Sequence, residues 1–260
     1  AADGAAAAER QTRDTVQRAH RTRPPFTPPT PDPDAWPQVR AHLVDERGLD
    51  PDLVDEAHAA GDVYAQTREG EHGAMTNAVF LQRGPSGRPT GAEIKGLHQR
   101  RDGSRFSGMA AGSRKDRGAF RAGVDLAAAR VVVVVEAAID ALSALMFARS
   151  KGRGDGVCVV STAGEPKQGM PEPVMAAIPA DATRVAAQDR NKVGDRQARQ
   201  LLKLDSDHAW KRWTPPEPHT DWNDWAQTYS TETRGGDGSD TSPGEGPEDP
   251  FAPDAAPDLS

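Results

Sequence analysis

Two carboxylates stand where an α/β protein puts its chemistry. Glu136 directly follows the run Val131–Val135, and Asp189 follows Arg184–Gln188, with Asn191 two residues on. Both runs read as strands, and open parallel sheets bind ligands just beyond the carboxyl ends of their strands. The same rule selects Ser161-Thr162-Ala163-Gly164, after Val157–Ser161. Acids at the ends of two different parallel strands can converge on one hard cation. Mg2+ suits that place because it favours carboxylate oxygen and retains waters. Such a site serves phosphoryl or nucleotidyl transfer by clamping phosphate oxygens. Each acid also has a plainer reading. Glu136 reads equally as an N-cap or first-turn acid, stabilised by the helix macrodipole, and Asp189 as a turn residue. Asp140 lies one helical turn past Glu136 and shares its face, which is also how a solvated face looks.

The elements that must position these residues follow from periodicity. Arg130–Val135 is a continuous β-branched run, the pattern of a strand buried on both faces of a parallel sheet. Ala137–Arg149 follows at helical period, then a strand at Val157–Ser161, a helix at Pro171–Ile178, a strand at Arg184–Gln188 and a charged amphipathic helix at Lys192–Leu204. This alternation predicts a doubly wound α/β domain over residues 129–229. Ala209–Trp213 adds an edge strand and Trp222–Tyr229 a last short helix. Upstream, residues 35–125 read as a small α+β unit. Val39, Leu43 and Val44 share a helical face, Arg47-Gly48 turns, and Asp50-Pro51 caps a second helix carrying Leu53, Val54 and Ala57. Strands are expected at Asp62–Gln66, Ala78–Gln82, Thr90–Lys95 and Phe106–Ala110, with a hairpin turn at Pro85-Ser86-Gly87-Arg88.

Composition bounds the rest. Hydrophobic residues make up 36% of the 260 residues and aromatics 5%, with 25 Gly and 22 Pro, too little apolar content to pack the whole chain. Disordered ends are therefore expected: a helical and Pro-rich segment over residues 1–34, extended at Arg23–Pro33, and an acidic tail over 230–260. No apolar run is long enough to cross a bilayer, and Ala1–Ala8 lacks the features of a signal peptide. A cytoplasmic location and no membrane contact are expected. The single cysteine, Cys158, excludes an intrachain disulfide and cysteine-based zinc sites, and reads as a small buried hydrophobe.

The net charge of −7 is misleading. Residues 231–260 hold eight acids and one base, which accounts for all of it, and residues 82–130 carry eleven bases against four acids. Lys95, Arg100, Arg101, Arg105, Arg114, Lys115 and Arg117 fall in that basic segment. Cations so grouped contact successive phosphates and make binding salt-dependent, while Phe106 and Phe120 could stack bases. The competing account is a solvated loop with core phenylalanines. Trp210, Trp213, Trp222 and Trp225 read as core and edge packing.

The stretch Val131-Val132-Val133-Val134-Val135-Glu136-Ala137-Ala138-Ile139-Asp140 resembles the first motif of the Toprim domain of bacterial primases, topoisomerases and some nucleases, with Ala137 where Gly is common. Val185-Ala186-Ala187-Gln188-Asp189-Arg190-Asn191-Lys192-Val193-Gly194 resembles its second motif, a strand ending in Asp-x-Asp, with Asn191 in place of the second acid. His219-Thr220-Asp221-Trp222-Asn223-Asp224 resembles the Lys-Asp-x-Asn-Asp ending of primase-like members in plasmids and mobile elements. Upstream, Val39–Asp62, Ala78-Val79-Phe80, Gly91-Ala92-Glu93-Ile94-Lys95-Gly96 and Gly112-Ser113 look like the domain of unknown function that commonly precedes such Toprim domains.

The resemblance implies a Toprim-type parallel sheet flanked by helices. It implies a metal-linked acid–base role for Glu136, an Mg2+ (or Mn2+) site built from Glu136, Asp189, Asn191 and Asp224, and partners that include single-stranded DNA, nucleotides and a helicase or relaxase. Asn191 contributes no charge and weakens such a site, and Asp195 or Asp221 are further acids that could compensate. A primase normally adds a cysteine-rich zinc domain, which one cysteine does not supply. Three readings follow: a Mg2+-dependent primase-like enzyme of plasmid or mobile-element DNA, a non-catalytic DNA-binding module with a degenerate site, and a small-nucleotide α/β enzyme.

Overall fold

The computed structural model describes residues 26–70, 73–164 and 169–235. The helix expected within residues 1–22 and the acidic tail beyond residue 235 lie outside the described residues. The architecture is α/β, with two sheets flanked by helices.

The first unit opens with α1 (Trp36–Ala41), which widens into a π-helical turn over His42–Glu46, and α2 (Pro51–Ala59). The Asp50 carboxylate accepts from Leu53 N, as the Asp-Pro signal predicts. Gly48 makes the turn between the helices at φ +66°, where a side chain would also strike the backbone of Ala226 and Gln227 at 2.7 Å. Strands β1 (Val63–Gly70), β2 (Gly73–Arg83), β3 (Pro89–Gln99) and β4 (Arg105–Met109) form an antiparallel sheet in sequential order. β1 and β2 extend further toward their connection than expected, through Thr67–Gly70 and Gly73–Asn77. Those stems are mostly polar and exposed, so they lack the alternation that marks a strand.

The two faces of this sheet diverge. Val63, Ala65, Ala78 and Phe80 join the main core beneath the helices, while Tyr64, Val79, Leu81, Ala92 and Ile94 form a second cluster under Phe26. The described part of the Pro-rich segment, residues 26–33, is therefore packed on the sheet rather than spanning space. Tyr64 Oη donates to Pro29 O at 3.0 Å and Asp32 N to Ala65 O at 2.9 Å.

The second sheet has the order β5-β7-β6-β8-β9: β5 (Phe120–Gly123), β6 (Val131–Val135), β7 (Val157–Ser161), β8 (Thr183–Ala186) and β9 (Trp210–Arg212). All pairs are parallel except β5–β7. β5 is an unexpected element, four residues long and carrying too little pattern to stand out. Central β6 is buried on both faces, as its continuous valine run requires. Val133 and Val135 enter the main core with Val159 and Val185, and Val132 and Val134 enter a separate cluster with Cys158 and Ala186. Each buried valine contributes roughly 1.5–3 kcal/mol. Helix α3 (Ala138–Ser150) covers the first face; α4 (Glu172–Met175) and α5 (Lys192–Leu204) cover the second.

Helix α6 (Trp222–Gly235) runs past the expected end at Tyr229 and packs on α3. Trp213, Trp222 and Trp225 surround the Phe147 ring at 4.8–5.6 Å, so these tryptophans are core. Phe120 is fully buried, edge-on to Phe80 at 5.5 Å, and unavailable for stacking on a base. Among the described residues, no helix is long and apolar enough to cross a membrane.

Candidate active site at the carboxyl ends of the parallel strands

β6 runs to β7 on one side through α3, and β7 returns to β8 on the other, so the winding reverses between β6 and β8. A crevice forms at such a reversal. Glu136 stands at the end of β6, and Asp189 just past the end of adjacent β8. Both line one pocket of about 390 Å3, together with Asp140, Glu93, Lys95, Lys115 and the Ala163-Gly164 backbone.

Backbone hydrogen bonds fix the strand ends. Glu136 O accepts from Gly164 N at 2.7 Å, and Val135 O from Thr162 N at 3.0 Å. Ala163 sits at φ +55°, uncommon for a side chain with a Cβ, where the β7 loop turns into the pocket. Beyond β8, Arg212 of β9 ties the loop down. Its guanidinium donates to the carbonyls of Ala186, Gln188, Asp189 and Trp213 at 2.7–3.1 Å. Trp222 Nε1 donates to Ala187 O at 2.8 Å, and Gln188 Nε2 to Val134 O at 3.0 Å. Gly194 explains the glycine of the second motif: a Cβ there would lie 2.1 Å from Asp189 O.

The site is electrostatically loaded. Burial, then the Glu136 and Asp221 carboxylates, push the Asp189 carboxyl up to about 7, against smaller opposing pulls from Arg212 and from a hydrogen bond with the Asn191 side chain. Asp189 Oδ1 is buried and accepts no hydrogen bond. Burial also holds the Asp140 carboxyl well above the usual range, reinforced by Asp189, Asp221 and Glu93. Asp140 thus lies on the buried face of α3 rather than on a solvated one.

The capping role considered for Glu136 belongs to Glu93. Glu136 precedes the N-cap residue Ala137, which has no side-chain cap of its own; Glu93 of β3 reaches across from the antiparallel sheet, and its Oε2 accepts from Ala138 N at 3.1 Å. Its Oε1 pairs with Lys95 Nζ at 2.7 Å, and Lys95 also donates to Ser107 Oγ at 2.8 Å. Glu93 is only 5% exposed. Its signal in the sequence is a charge alternating with Ala92, Ile94 and Gly96, which places it on the face turned toward the second sheet. Arg212, between Lys211 and Trp213 on an edge strand, gives no such signal.

The remaining expected residues are distributed differently. Asn191 caps α5, its Oδ1 accepting from Val193 N at 2.8 Å and Gly194 N at 2.9 Å, so both oxygen lone pairs are engaged. Asp224 lies outside the pocket, 3.2 Å from His219 Nδ1, on the exposed first turn of α6. Asp221 caps that turn through Asp224 N at 2.6 Å, and Asn223 Nδ2 donates to Arg47 O at 2.8 Å, joining α6 to the first unit. Asp195 pairs with Arg212 at 3.2 Å. Of the basic residues, Lys95 and Lys115 reach the carboxylate pocket, where Lys115 Nζ donates to Ala163 O. Arg105 is drawn to Glu46 at 2.6 Å, and Arg114 and Arg117 flank Asp116 at 3.5 and 3.4 Å. Arg100 and Arg101 sit exposed at the β3–β4 turn. The basic segment is therefore several small groups rather than one patch.

The donor set decides whether the pocket suits a divalent cation. Among the described residues, no group of three or more His, Cys, Asp or Glu side chains could hold a metal ion. Of the four acids lining the pocket, Glu136 and Asp189 at the strand ends, the latter with a buried oxygen that accepts no hydrogen bond, nevertheless fit Mg2+ as it is usually held: by one or two acids, with waters and substrate phosphates completing the shell.

A family model described as "protein of unknown function (DUF3991)" matches residues 41–125. No curated protein matches. Among solved structures, the chain is similar to the primase fragment of the bacteriophage T7 primase-helicase protein: 13% identity over 74% of this chain and 72% of that one, TM-score 0.45. It is similar to the RNA polymerase domain of Mycobacterium tuberculosis primase DnaG: 17% identity over 77% and 65%, TM-score 0.43. It is also similar to the zinc-binding and RNA polymerase domains of the Aquifex aeolicus primase: 14% identity over 75% and 53%, TM-score 0.46.

Proposed function

We propose that this chain is a Mg2+-dependent nucleic-acid-processing protein with a Toprim-type core. Its chemistry would be primase-like nucleotidyl transfer or strand cleavage on plasmid or mobile-element DNA. One observation carries the reading: Glu136 and Asp189, from adjacent parallel strands, face one pocket in which an Asp189 oxygen is buried without a partner. The motif resemblance around both acids supports the same assignment.

Glu136 and Asp189 would hold the ion, which supplies charge stabilisation for phosphate oxygens. The protein's own contribution is positioning. Arg212 and Trp222 fix the backbone that carries Asp189. Glu93 holds α3 and Lys95 together at the pocket rim. Lys95 and Lys115 offer ammonium groups to phosphates. Glu136 would accept the proton of an attacking hydroxyl or water. Single-stranded DNA and nucleotides are the expected substrates, and a helicase or relaxase the expected protein partner.

The test is Mn2+ binding followed by electron paramagnetic resonance, with primer-extension and cleavage assays on labelled single-stranded DNA. Glu136→Gln should keep the fold, weaken Mn2+ binding at least about 10-fold and abolish metal-dependent activity. Wild-type binding and activity in that variant would overturn the assignment. A second reading, a non-catalytic DNA-binding module, is favoured by Asn191 serving as a helix cap. It expects salt-dependent DNA binding that Mg2+ leaves unchanged.

A further inference from the structure

We propose that the outer face of the antiparallel sheet, away from the carboxylate pocket, binds unpaired DNA with Phe106 as its stacking platform. This deepens the nucleic-acid reading above and rests on it. A groove of about 520 Å3 crosses that face, lined among others by Phe106, Met75, Arg68, His98 and Arg100. Phe106, on edge strand β4, is 43% exposed, and Met75, on the outer stem of β2, is 40% exposed; together they leave apolar surface open on this face. Two glycines make room for the ring. A Cβ at Gly108 would lie 3.0 Å from Phe106 Cζ, and a Cβ at Gly96 3.0 Å from Phe106 Cβ. The ring thus leans along its own strand over positions that carry no side chain.

The charge is complementary to a phosphate backbone. Arg68, from β1, and Arg100, just past β3, bracket the groove and are exposed. Among the described residues, neither forms a salt bridge or a side-chain hydrogen bond. They differ in this from Lys95, Arg105, Arg114 and Arg117, each paired with an acid. Aromatic faces stack on bases of any identity, provided the base is unpaired. Met75, Ile94 and Met109 beside the ring favour deoxyribose, because a ribose 2′-hydroxyl placed there would lose water without gaining a partner.

The groove is also connected to the chemistry. Side chains alternate along β4, so Phe106 faces the groove while Ser107 faces the carboxylate pocket, and Met109 lines both. A single strand crossing this edge would have one nucleotide on Phe106 while a neighbouring stretch reaches Glu136 and Asp189.

The experiment measures anisotropy of fluorescein-labelled oligodeoxythymidylate with the full chain, in EDTA. Phe106→Ala should weaken binding about 5- to 150-fold, the loss of one base–aromatic stack. Phe106→Leu, which keeps apolar bulk without a π face, should weaken it too, and Phe106→Trp should restore it. Arg68→Ala with Arg100→Ala should lower the slope of log affinity against log salt by about 1.4, or 0.7 for each cation. Duplex DNA and oligouridylate should compete poorly. Wild-type affinity in Phe106→Ala and Phe106→Leu would overturn the groove, while Mn2+ binding lost in Glu136→Gln would leave the proposed function standing. Equal competition by oligouridylate would overturn the choice of DNA. Absence of any binding by the wild-type chain would overturn both the groove and the nucleic-acid reading.

Discussion

Replacing Asp189 by asparagine tests the electrostatics of the candidate site without any assay of activity. In the folded chain the Asp189 carboxyl keeps its proton up to about 7, whereas an unperturbed Asp loses it near 3.8. Between those values the folded chain binds more protons than the unfolded one, so stability falls as pH rises through the window and is flat above it. At 1.36 kcal/mol for each pH unit the full loss is at most about 4 kcal/mol, and solvent screening at this half-buried place reduces it. The substituted amide would carry no charge and escape that loss, but its N–H groups need partners in a half-buried place, which returns roughly 1–3 kcal/mol. Asp189→Asn should therefore be more stable than wild type by about 1–3 kcal/mol at pH 8 in EDTA, and less stable by roughly 1–3 kcal/mol near pH 4, where the wild-type carboxyl is protonated in both states. Urea unfolding followed by tryptophan fluorescence reads this directly, because Trp213, Trp222 and Trp225 are buried beside the site's supporting backbone. Mg2+ at about 100 times its dissociation constant should then stabilise wild type by about 2.7 kcal/mol at pH 8 and leave the variant unchanged. A destabilised variant at pH 8, or a difference that does not change with pH, would refute the account of Asp189 as a buried acid whose charge is only partly compensated.

Other expectations follow from single contacts. Glu93→Ala leaves Ala138 N and Lys95 without their acceptor and should cost about 1–3 kcal/mol, more than Glu93→Gln, whose amide oxygen can still accept; thermal unfolding distinguishes them. Asn191→Ala should cost about 1 kcal/mol as a lost helix cap, whereas Asn191→Asp should keep the cap; equal losses in urea midpoints would contradict the capping role. Gly194→Ala forces a Cβ against Asp189 O, now 2.1 Å from that position, and should weaken Mn2+ binding although its own side chain is never a ligand. Gly48→Ala meets both a positive φ and the α6 backbone, and should lower the unfolding midpoint by more than the roughly 1 kcal/mol typical of a strained glycine alone.

What the sequence disclosed depends on whether a residue's signal is local. The valine run Val131–Val135 specifies a doubly buried strand by itself, and the acid after it is then placed by the geometry of parallel sheets. Asp189 emerges the same way, and Asp50 through its neighbour Pro51. Asn191 and Asp224 show the limit of spacing. Both lie within a few residues of the right element, but one turns its oxygen to a helix N-terminus and the other faces solvent with His219. The first-turn amides of a helix compete for any Asn oxygen at the N-cap, and that local claim outweighs a shared distant ligand. The polar stems of β1 and β2 and the short β5 are obscure because their partners, not their own pattern, make them strands.

The residues that sequence could not have assembled are those that act on an element other than their own. Glu93 belongs to β3 yet completes the N-terminus of α3, and Arg212 belongs to β9 yet holds four carbonyls around the end of β8. Glu93 satisfies the Ala138 amide, which would otherwise lack a partner at a cost of about 1–3 kcal/mol, and Arg212 adds a second donor to the Ala186 and Asp189 carbonyls, already bonded by Trp213 N and Asn191 N. The carboxylate pocket is thus not a property of the parallel sheet alone. Its wall, its two lysines and its helix cap come from the residues that precede the parallel strands, and one core runs through both units. It follows that the parallel-sheet half, expressed without residues 26–123, should neither fold stably nor bind Mn2+. It would lack Glu93 and Lys95, the covering residues Val63, Phe80 and Phe120, and edge strand β5. A folded, metal-binding fragment by circular dichroism and Mn2+ titration would show that the site needs only its two strand-end acids.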